Sequence, residues 1–300
     1  MVVFTQVFLL LFFVALGFTL SKCGLVDLSH TDILSKISVY VFLPANIFKT
    51  FALNFNKSYI FKNYKIVLSS VVILIALNLM AYFVAKLFTK SKYERAVYEY
   101  SLGVPNFGYV GYPLSESIGG QAGLLNFMTF SVPVSLYAYT IAFGKLTKKG
   151  LSLKKLLNSS TISIIIGMTF GLLEIPVPQI FENVAVAASA CMGPVGMLMT
   201  GIIMSGFDLK KIVKKWKIYP ALFLRLVVIP LCLGGVLSLF CSQELVKIAV
   251  LFYCLPCGLN TVIFPKLVGE DCETGASLSI FSTVVSLATI PLICAIFGIQ

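Results

Sequence analysis

Long apolar runs without a charged residue dominate the chain, and short charged segments separate them. A membrane-spanning helix needs ~20 mostly apolar residues. Runs of about this length, eight in all, are Met1–Ser21, Ile66–Ala85, Ser117–Gly144, Leu156–Leu173, Asn183–Phe207, Leu226–Gln243, Ile248–Pro265 and Thr274–Gln300. The pattern therefore predicts an all-α polytopic membrane protein.

Two weaker runs lie between the strong ones and leave the number of spans open. Ile33–Leu53 is interrupted by Lys36 and Lys49, and Tyr100–Ser115 is short. Hydropathy alone is therefore compatible with eight, nine or ten spans.

An internal repeat favours ten spans over eight. Proline and glycine residues recur in chain order at an offset of 150 to 152 residues: Gly17 with Gly167, Pro44 with Pro194, Pro105 with Pro256 and Pro113 with Pro265. The alternative is coincidence, since both residue types are frequent in membrane helices. With the repeat, each weak run pairs with a strong one, and each half holds five spans.

Five spans per half place the second half upside down in the membrane, because an odd number reverses the entry side. Such inverted repeats are a common plan of secondary transporters. We predict a first repeat over 1–144, a basic linker over 145–155 and a second, inverted repeat over 156–300.

Composition and charge restrict the function. Only 12% of residues are charged, 58% are hydrophobic and the mean hydropathy is +0.96, which excludes a soluble enzyme or a disordered scaffold. The net charge of +11 does not indicate nucleic acid, because the basic residues lie between apolar runs, as in cytoplasmic loops that face anionic lipids. We expect membrane lipids as partners and no nucleic acid, metal or cofactor.

Loop charges predict the orientation. Loops after even spans hold only Lys57, Lys62, Lys65 and Lys247. Loops after odd spans hold Lys22, Lys86, Lys90, Lys92, Arg95, Lys145, Lys148, Lys149, Lys154, Lys155, Lys210, Lys211, Lys214, Lys215 and Lys217. The positive-inside rule therefore places the odd loops in the cytoplasm and both termini outside.

Two spans cannot be continuous helices. Residues 103–113 read GVPNFGYVGYP and residues 255–265 read LPCGLNTVIFP, each with two prolines, glycine and an asparagine. Proline removes a helical hydrogen bond and clashes with the preceding turn. Broken helices at matching positions of two repeats indicate a transporter's binding site near the membrane midplane.

The chemistry of this predicted site suits a small anion. Half-helix N-termini present free N–H groups and a partial positive charge, and an asparagine amide supplies neutral hydrogen bonds. Proline kinks packed by neighbouring helices are the alternative explanation. The candidate substrate-binding residues are Asn46, Pro105, Asn106, Gly108, Pro256, Gly258, Asn260 and Thr261.

The sequence also resembles a known family. Residues 106–114, NFGYVGYPL, are similar to a signature in the fourth span of the auxin efflux carrier family. Pro256, Asn260, Gly269 and the run 282–292 resemble its ninth and tenth spans, and residues 43–45 its Leu-Pro-Ala motif.

This resemblance implies both a fold and a substrate class. The fold would be ten helices in two inverted repeats, with spans four and nine crossing at their broken centres. The substrates would be carboxylates such as auxin, malonate or malate. Long plant members carry a large hydrophilic loop between the halves, and its replacement here by a short linker argues against auxin itself.

A few further residues carry open alternatives. Arg225 lies in an apolar stretch and either neutralises a substrate carboxylate or extends toward the nearby lysine-rich loop. Glu116 and Lys266 sit just past the broken segments and either gate access or are solvated helix-end charges. Cys254 and Cys257 form a Cys-x-x-Cys pair without a redox or metal context.

The sequence therefore predicts a secondary carrier that exports small organic anions across the plasma membrane, with a homodimer as one possible assembly. A cation/proton or sodium-coupled transporter of the same fold is the alternative, although it would need acidic residues at the midplane and none lies in the predicted helix cores. An intramembrane enzyme is a third option, and the single loop histidine, His30, argues against it.

Overall fold

The computed structural model describes residues 2–150, 157–208, 213–266 and 268–299. Every regular element in this part of the chain is a helix, so the predicted all-α class is confirmed. The helices are α1 (Val2–Lys22), α2 (His30–Asn54), α3 (Lys57–Phe88), α4 (Lys92–Gly103), α5 (Phe107–Thr147), α6 (Ser159–Leu172), α7 (Gln179–Ser205), α8 (Ile218–Ser238), α9 (Gln243–Tyr253), α10 (Asn260–Lys266) and α11 (Glu273–Ile296).

Within the described residues, seven of these helices are long and apolar enough to cross a membrane: α1, α2, α3, α5, α7, α8 and α11. The helix α5 spans 41 residues, but it is sharply kinked at Gly120, where φ is 59°. Glycine has no Cβ and adopts this left-handed backbone without strain. The helix α6 is apolar and shorter, at 14 residues.

Both predicted interruptions are present. The helix α4 ends at Gly103 and α5 begins at Phe107, while α9 ends at Tyr253 and α10 begins at Asn260. We call residues 104–106 the first break and residues 254–259 the second break. Prolines also locally change α-helical turns into wider π-helical turns, because a proline has no N–H to complete the backbone hydrogen-bond pattern. The π-helical turns Ser38–Phe42 and Leu224–Val228 each lie just before a proline.

Polar caps determine where several helices begin. The side chains of Asn56, Ser91, Asn158 and Ser242 each accept a hydrogen bond from a backbone N–H in the first turn of the helix that follows. Such a cap satisfies one of the N–H groups that a helix start leaves without a partner. The helices α3, α4, α6 and α9 therefore start at defined points of the chain.

Close helix pairs join the two halves of the chain. A Cβ on Gly17 of α1 would overlap the backbone oxygen of Leu198 in α7. A Cβ on Gly167 of α6 would lie 3.3 Å from the Cα of Phe48 in α2. These two contacts are related by the same sequence offset of 150 residues, and we call them the glycine seams. Each seam packs one helix of the first half against one of the second.

Ion pairs gather the loops after α1, α5, α7 and α10 at one end of the bundle, here called the basic end. Lys148 binds Glu270 at 2.6 Å, Lys215 binds Glu273 at 3.1 Å and Lys266 binds Asp32 at 3.1 Å. Residues 151–155 of the predicted linker, with Lys154 and Lys155, lie outside the described residues, as do Lys210 and Lys211.

Hydrogen bonds join the helices at the opposite end of the bundle. The hydroxyl of Tyr59 donates to the side-chain oxygen of Asn126 at 2.7 Å, and the amide of Asn126 donates to the carboxylate of Glu244 at 2.7 Å. This chain of contacts connects α3, α5 and α9, so it links the first half of the chain to the second.

Candidate functional site

The two breaks meet and pair through their backbones. The N–H of Asn106 donates to the carbonyl of Pro256 at 2.8 Å, and the N–H of Gly258 donates to the carbonyl of Val104 at 3.2 Å. Pro105 and Cys257 therefore face each other as a short antiparallel bridge. Each break satisfies backbone groups that the other would leave without a partner in an apolar environment. We call this arrangement the crossing.

Hydroxyl groups support the crossing from α10 and α11. Ser282 accepts a hydrogen bond from the N–H of Cys257 at 2.9 Å, and Ser279 donates to the carbonyl of Cys257 at 3.3 Å. Thr261 donates to the carbonyl of Gly258 at 3.0 Å. All three side chains are buried. They hold the irregular backbone in one conformation, which a binding site requires.

The two predicted asparagines lie at the crossing in different settings. Asn260 donates from its amide nitrogen to the hydroxyl of Tyr100 at 2.9 Å. Asn106 is 4% exposed, and its amide nitrogen has no hydrogen-bond partner among the described residues. A buried donor without a partner costs roughly 1–3 kcal/mol. Asn106 therefore offers a donor that a bound ligand can satisfy.

A cavity of about 280 Å³ lies against the crossing, and we call it the central cavity. Both breaks contribute to its wall, together with α2, α4, α5, α7, α10 and the segment before α6. The lining residues are Ser35, Lys36, Val39, Tyr40, Leu43, Tyr100, Pro105, Asn106, Phe107, Gly108, Tyr109, Tyr139, Phe143, Asn158, Met192, Gly258, Leu259, Asn260, Ile263 and Phe264. Most of the wall is apolar or aromatic.

The electrostatics of the central cavity favour an anion. Lys36 contributes a positive charge, and no acidic side chain of the described residues lines the wall. The helix α5 begins at Phe107 in the wall, so its first N–H groups and its partial positive charge lie beside the cavity. The side-chain amides of Asn106 and Asn260 add hydrogen-bonding groups without charge.

The structure brings five of the predicted binding residues into the cavity wall: Pro105, Asn106, Gly108, Gly258 and Asn260. Pro256 instead supports the crossing through its carbonyl, and Thr261 does so through its hydroxyl.

Fifteen of the twenty residues in the cavity wall were not among the predicted ones, and Tyr100, Tyr139 and Met192 are three of these. The tyrosine hydroxyls inside otherwise apolar segments were the one available sequence signal, because a buried hydroxyl usually finds a hydrogen-bond partner. Met192 carried no such signal, since methionine is an ordinary residue of an apolar core.

Asn46 lies beside Met192 and outside the wall of the central cavity. Its amide nitrogen is 3.7 Å from the sulfur of Met192, which lines the central cavity. Asn46 itself lines a separate crevice of about 310 Å³, together with Pro113 and Glu116. Met192 and Asn46 therefore lie between the two spaces.

The other residues with open roles are either paired with an opposite charge or buried, which the sequence alone did not indicate. Glu116 forms an ion pair with Lys49 at 3.1 Å and is not a simple solvated charge. Lys266 pairs with Asp32 at 3.1 Å. Cys254 and Cys257 are buried free thiols at the second break.

Arg225 fits neither of the two roles that its sequence position suggests. Its side chain is fully buried beside Tyr253, so it does not extend to the lysine-rich loop. It also does not line the central cavity, so it is not placed to contact a substrate there.

Comparison with known proteins supplies independent information. A family model described as membrane transport protein matches the chain twice, over residues 2–155 and 145–294. No curated protein matches the chain. The two family matches together cover nearly the whole sequence, and they meet within the predicted linker.

Proposed function

Because the chain belongs to the membrane transport protein family, we propose that it is a secondary carrier of small organic anions. The family includes the auxin efflux carriers, so the resemblance to that family is confirmed. Members of this family are transporters rather than enzymes. The observation that carries the proposal is the central cavity, where the crossing presents two asparagines and a helix N-terminus without an acidic side chain among the described residues.

We propose ten spans in two inverted five-helix repeats, over 1–144 and 156–300, joined by the linker 145–155. The seven long helices supply seven spans, and α6 supplies an eighth. The helix α4 with the part of α5 before Gly120 forms a broken fourth span, and the rest of α5 forms the fifth. The helices α9 and α10 form a broken ninth span. The double family match and the glycine seams support this arrangement.

We further propose that the basic end faces the cytoplasm, with both termini outside a plasma membrane. The lysine-rich loops after odd spans support this orientation. Ser35, Lys36 and Asn158 lie in the cavity wall near the basic end. The cavity then belongs to an inward-facing state, in which an anion enters from the cytoplasm before export.

The cavity wall supports a narrower choice within this class of substrates. The carboxylate would lie at Asn106, Asn260 and the first turn of α5, with Lys36 as a long-range counter-charge. The aromatic and aliphatic wall suits a carboxylate with an apolar body, such as an auxin-like compound, whereas malonate and malate would leave a second polar group against apolar side chains. All three remain within the proposed class of small organic anions.

Reconstituted protein tests the proposal. Proteoliposomes loaded with labelled malonate, malate or indole-3-acetate should release at least one of them, faster when the loaded compartment is negative. Asn106→Ala and Asn260→Ala should each lower the rate at least about tenfold, the effect of about 1.4 kcal/mol in transition-state free energy.

Asn183→Ala is the matched control, since Asn183 is exposed on α7 and its side chain contacts Gln179 at the helix surface. It should transport like the wild type. Full transport by the double variant of Asn106 and Asn260 would refute the site. Proton or sodium movement without release of any anion would place the cation-coupled alternative first.

A further inference from the structure

Arg225 is a buried cation without a hydrogen-bonding partner. It lies in the π-helical turn Leu224–Val228 of α8 and is 0% exposed. None of its three guanidinium nitrogens has a partner among the residues that the structure describes. An uncompensated buried charge is strongly unfavourable, so the surroundings must supply negative potential.

The C-terminal end of α9 supplies that potential. The guanidinium carbon lies 5.7 Å from the ring centroid of Tyr253, which is the last residue of α9. A helix C-terminus carries about −0.5 of an elementary charge, and an aromatic face attracts a cation. The turn that holds Arg225 also contacts α4, which ends at the first break.

The equivalent position at the first break is neutral. The helix α4 ends at Gly103, which lies 150 residues before Tyr253. A Cβ on Gly103 would lie 3.1 Å from the side-chain oxygen of Asn78 in α3. The helix α3 directly precedes α4 in the chain, and α8, which holds Arg225, directly precedes α9 in the same way. An amide therefore faces one C-terminal half-helix end, and a guanidinium faces the other.

In carriers with broken helices, unwound carbonyls and half-helix C-terminal ends commonly coordinate a coupling cation. We propose that Arg225 is a resident cation in that position and makes a bound coupling ion unnecessary. It neutralises the C-terminal end of α9 at the crossing and leaves the N-terminal end of α5 for the anion. Since Arg225 does not line the central cavity, it is a positioning residue and not a substrate ligand. The inference rests on the proposed function.

A stability measurement without substrate tests the resident cation directly. Arg225→Ala in the full-length purified protein should lower the apparent melting temperature, and millimolar methylguanidinium should restore at least half of the loss. Asn78→Ala is the matched control, because it removes a neutral group at the other break and should not respond to methylguanidinium. The proposal would be overturned if methylguanidinium raised the melting temperatures of both variants equally, or if it did not raise that of Arg225→Ala.

The wild type supplies a second arm that does not depend on the folding of a variant. Its melting temperature should not change when sodium replaces choline, since Arg225 already fills the cation position. Selective stabilisation of the wild type by sodium would show a vacant cation site and would overturn the proposal. Arg225→Lys, which keeps the charge, should remain closer to the wild type than Arg225→Gln does.

Flux measurements separate this inference from the proposed function. If no carboxylate leaves wild-type proteoliposomes, the proposed function fails, and the two stability arms still decide the role of Arg225. If carboxylate leaves, Arg225→Gln should lower its rate about tenfold, equivalent to about 1.4 kcal/mol, and sodium should not accelerate the wild type. Wild-type flux by Arg225→Gln, or wild-type flux that requires sodium, would overturn the inference alone.

Discussion

The ion pair of Lys49 and Glu116 is the most buried one among the residues that the structure describes. Lys49 is 5% exposed and Glu116 is 35% exposed, with 3.1 Å between the ammonium nitrogen and the carboxylate oxygen. The pair joins α2 to the short arm of α5 before Gly120, beside the crevice that contains Asn46. At the scale of the residue, it connects two helices beside that crevice.

Removal of the carboxylate should cost more than removal of the buried ammonium. Glu116→Ala leaves the Lys49 ammonium buried without its counter-charge, and we expect a loss of about 2 kcal/mol, below the roughly 3–5 kcal/mol of a fully buried pair because Glu116 is partly exposed. Lys49→Met replaces the buried charge with an apolar side chain of similar length and should be milder. Thermal unfolding of both variants checks the order, and a less stable Lys49→Met would contradict it.

The sequence predicted the residues at the breaks better than the residues around them. Asn106 and Asn260 stood out because each lies among prolines and glycines in an apolar run. Met192 and Tyr100 line the same cavity, but they come from distant parts of the chain that only the tertiary structure brings together. Lys49 looked like an interruption of a span, because its partner lies 67 residues away in sequence.

At the scale of the element, close helix contacts depend on single glycines. A Cβ on Gly201 of α7 would overlap the backbone oxygen of Val14 in α1 and would lie 2.7 Å from the backbone nitrogen of Phe18. Backbone atoms cannot rotate away as a side chain can, so the two helices would have to separate. Small residues that allow such approach are the usual means of helix association in membranes.

Gly201→Ala should therefore destabilise the protein by about 1–3 kcal/mol, the typical cost of overpacking. Gly235→Ala in α8 is the control, because a Cβ on Gly235 would meet no neighbouring atom of the described residues within 4 Å. It should be neutral or slightly stabilising, since alanine favours a helix. Melting temperatures of the two variants in one detergent give the comparison, and equal values would argue against the close contact.

The sequence predicted the ends of helices where prolines or charged residues lie at those ends. The first break lies inside its proline-rich window and the second begins one residue before its window, because a proline leaves a carbonyl without its helical partner wherever it occurs. The kink at Gly120 lies three residues after Ser117, the first residue of the apolar run Ser117–Gly144. Nothing in the local sequence distinguishes Gly120 from the neighbouring Gly119 as the site of a kink. Its backbone angle depends on how the two arms of α5 pack.

At the scale of the whole molecule, the orientation is open to a direct test. Cys23 is exposed in the turn after α1, on the side of the basic end, and Lys57 is exposed at the start of α3, on the opposite side. In a variant that keeps only Cys23, a membrane-impermeant maleimide should react after permeabilisation and not in intact cells. A cysteine-free variant with Lys57→Cys should react in intact cells. The reverse pattern would invert the proposed orientation.

The glycine seams also constrain how the chain is made. The helices α1 and α2 belong to the first half, but their close partners, α7 and α6, are translated only after the linker. A nascent chain that ends near residue 150 therefore has two unfilled grooves facing lipid. Because α6 and α7 are the first two helices of the second half, both seams can close once these helices have entered the bilayer, before the rest of the second half is translated.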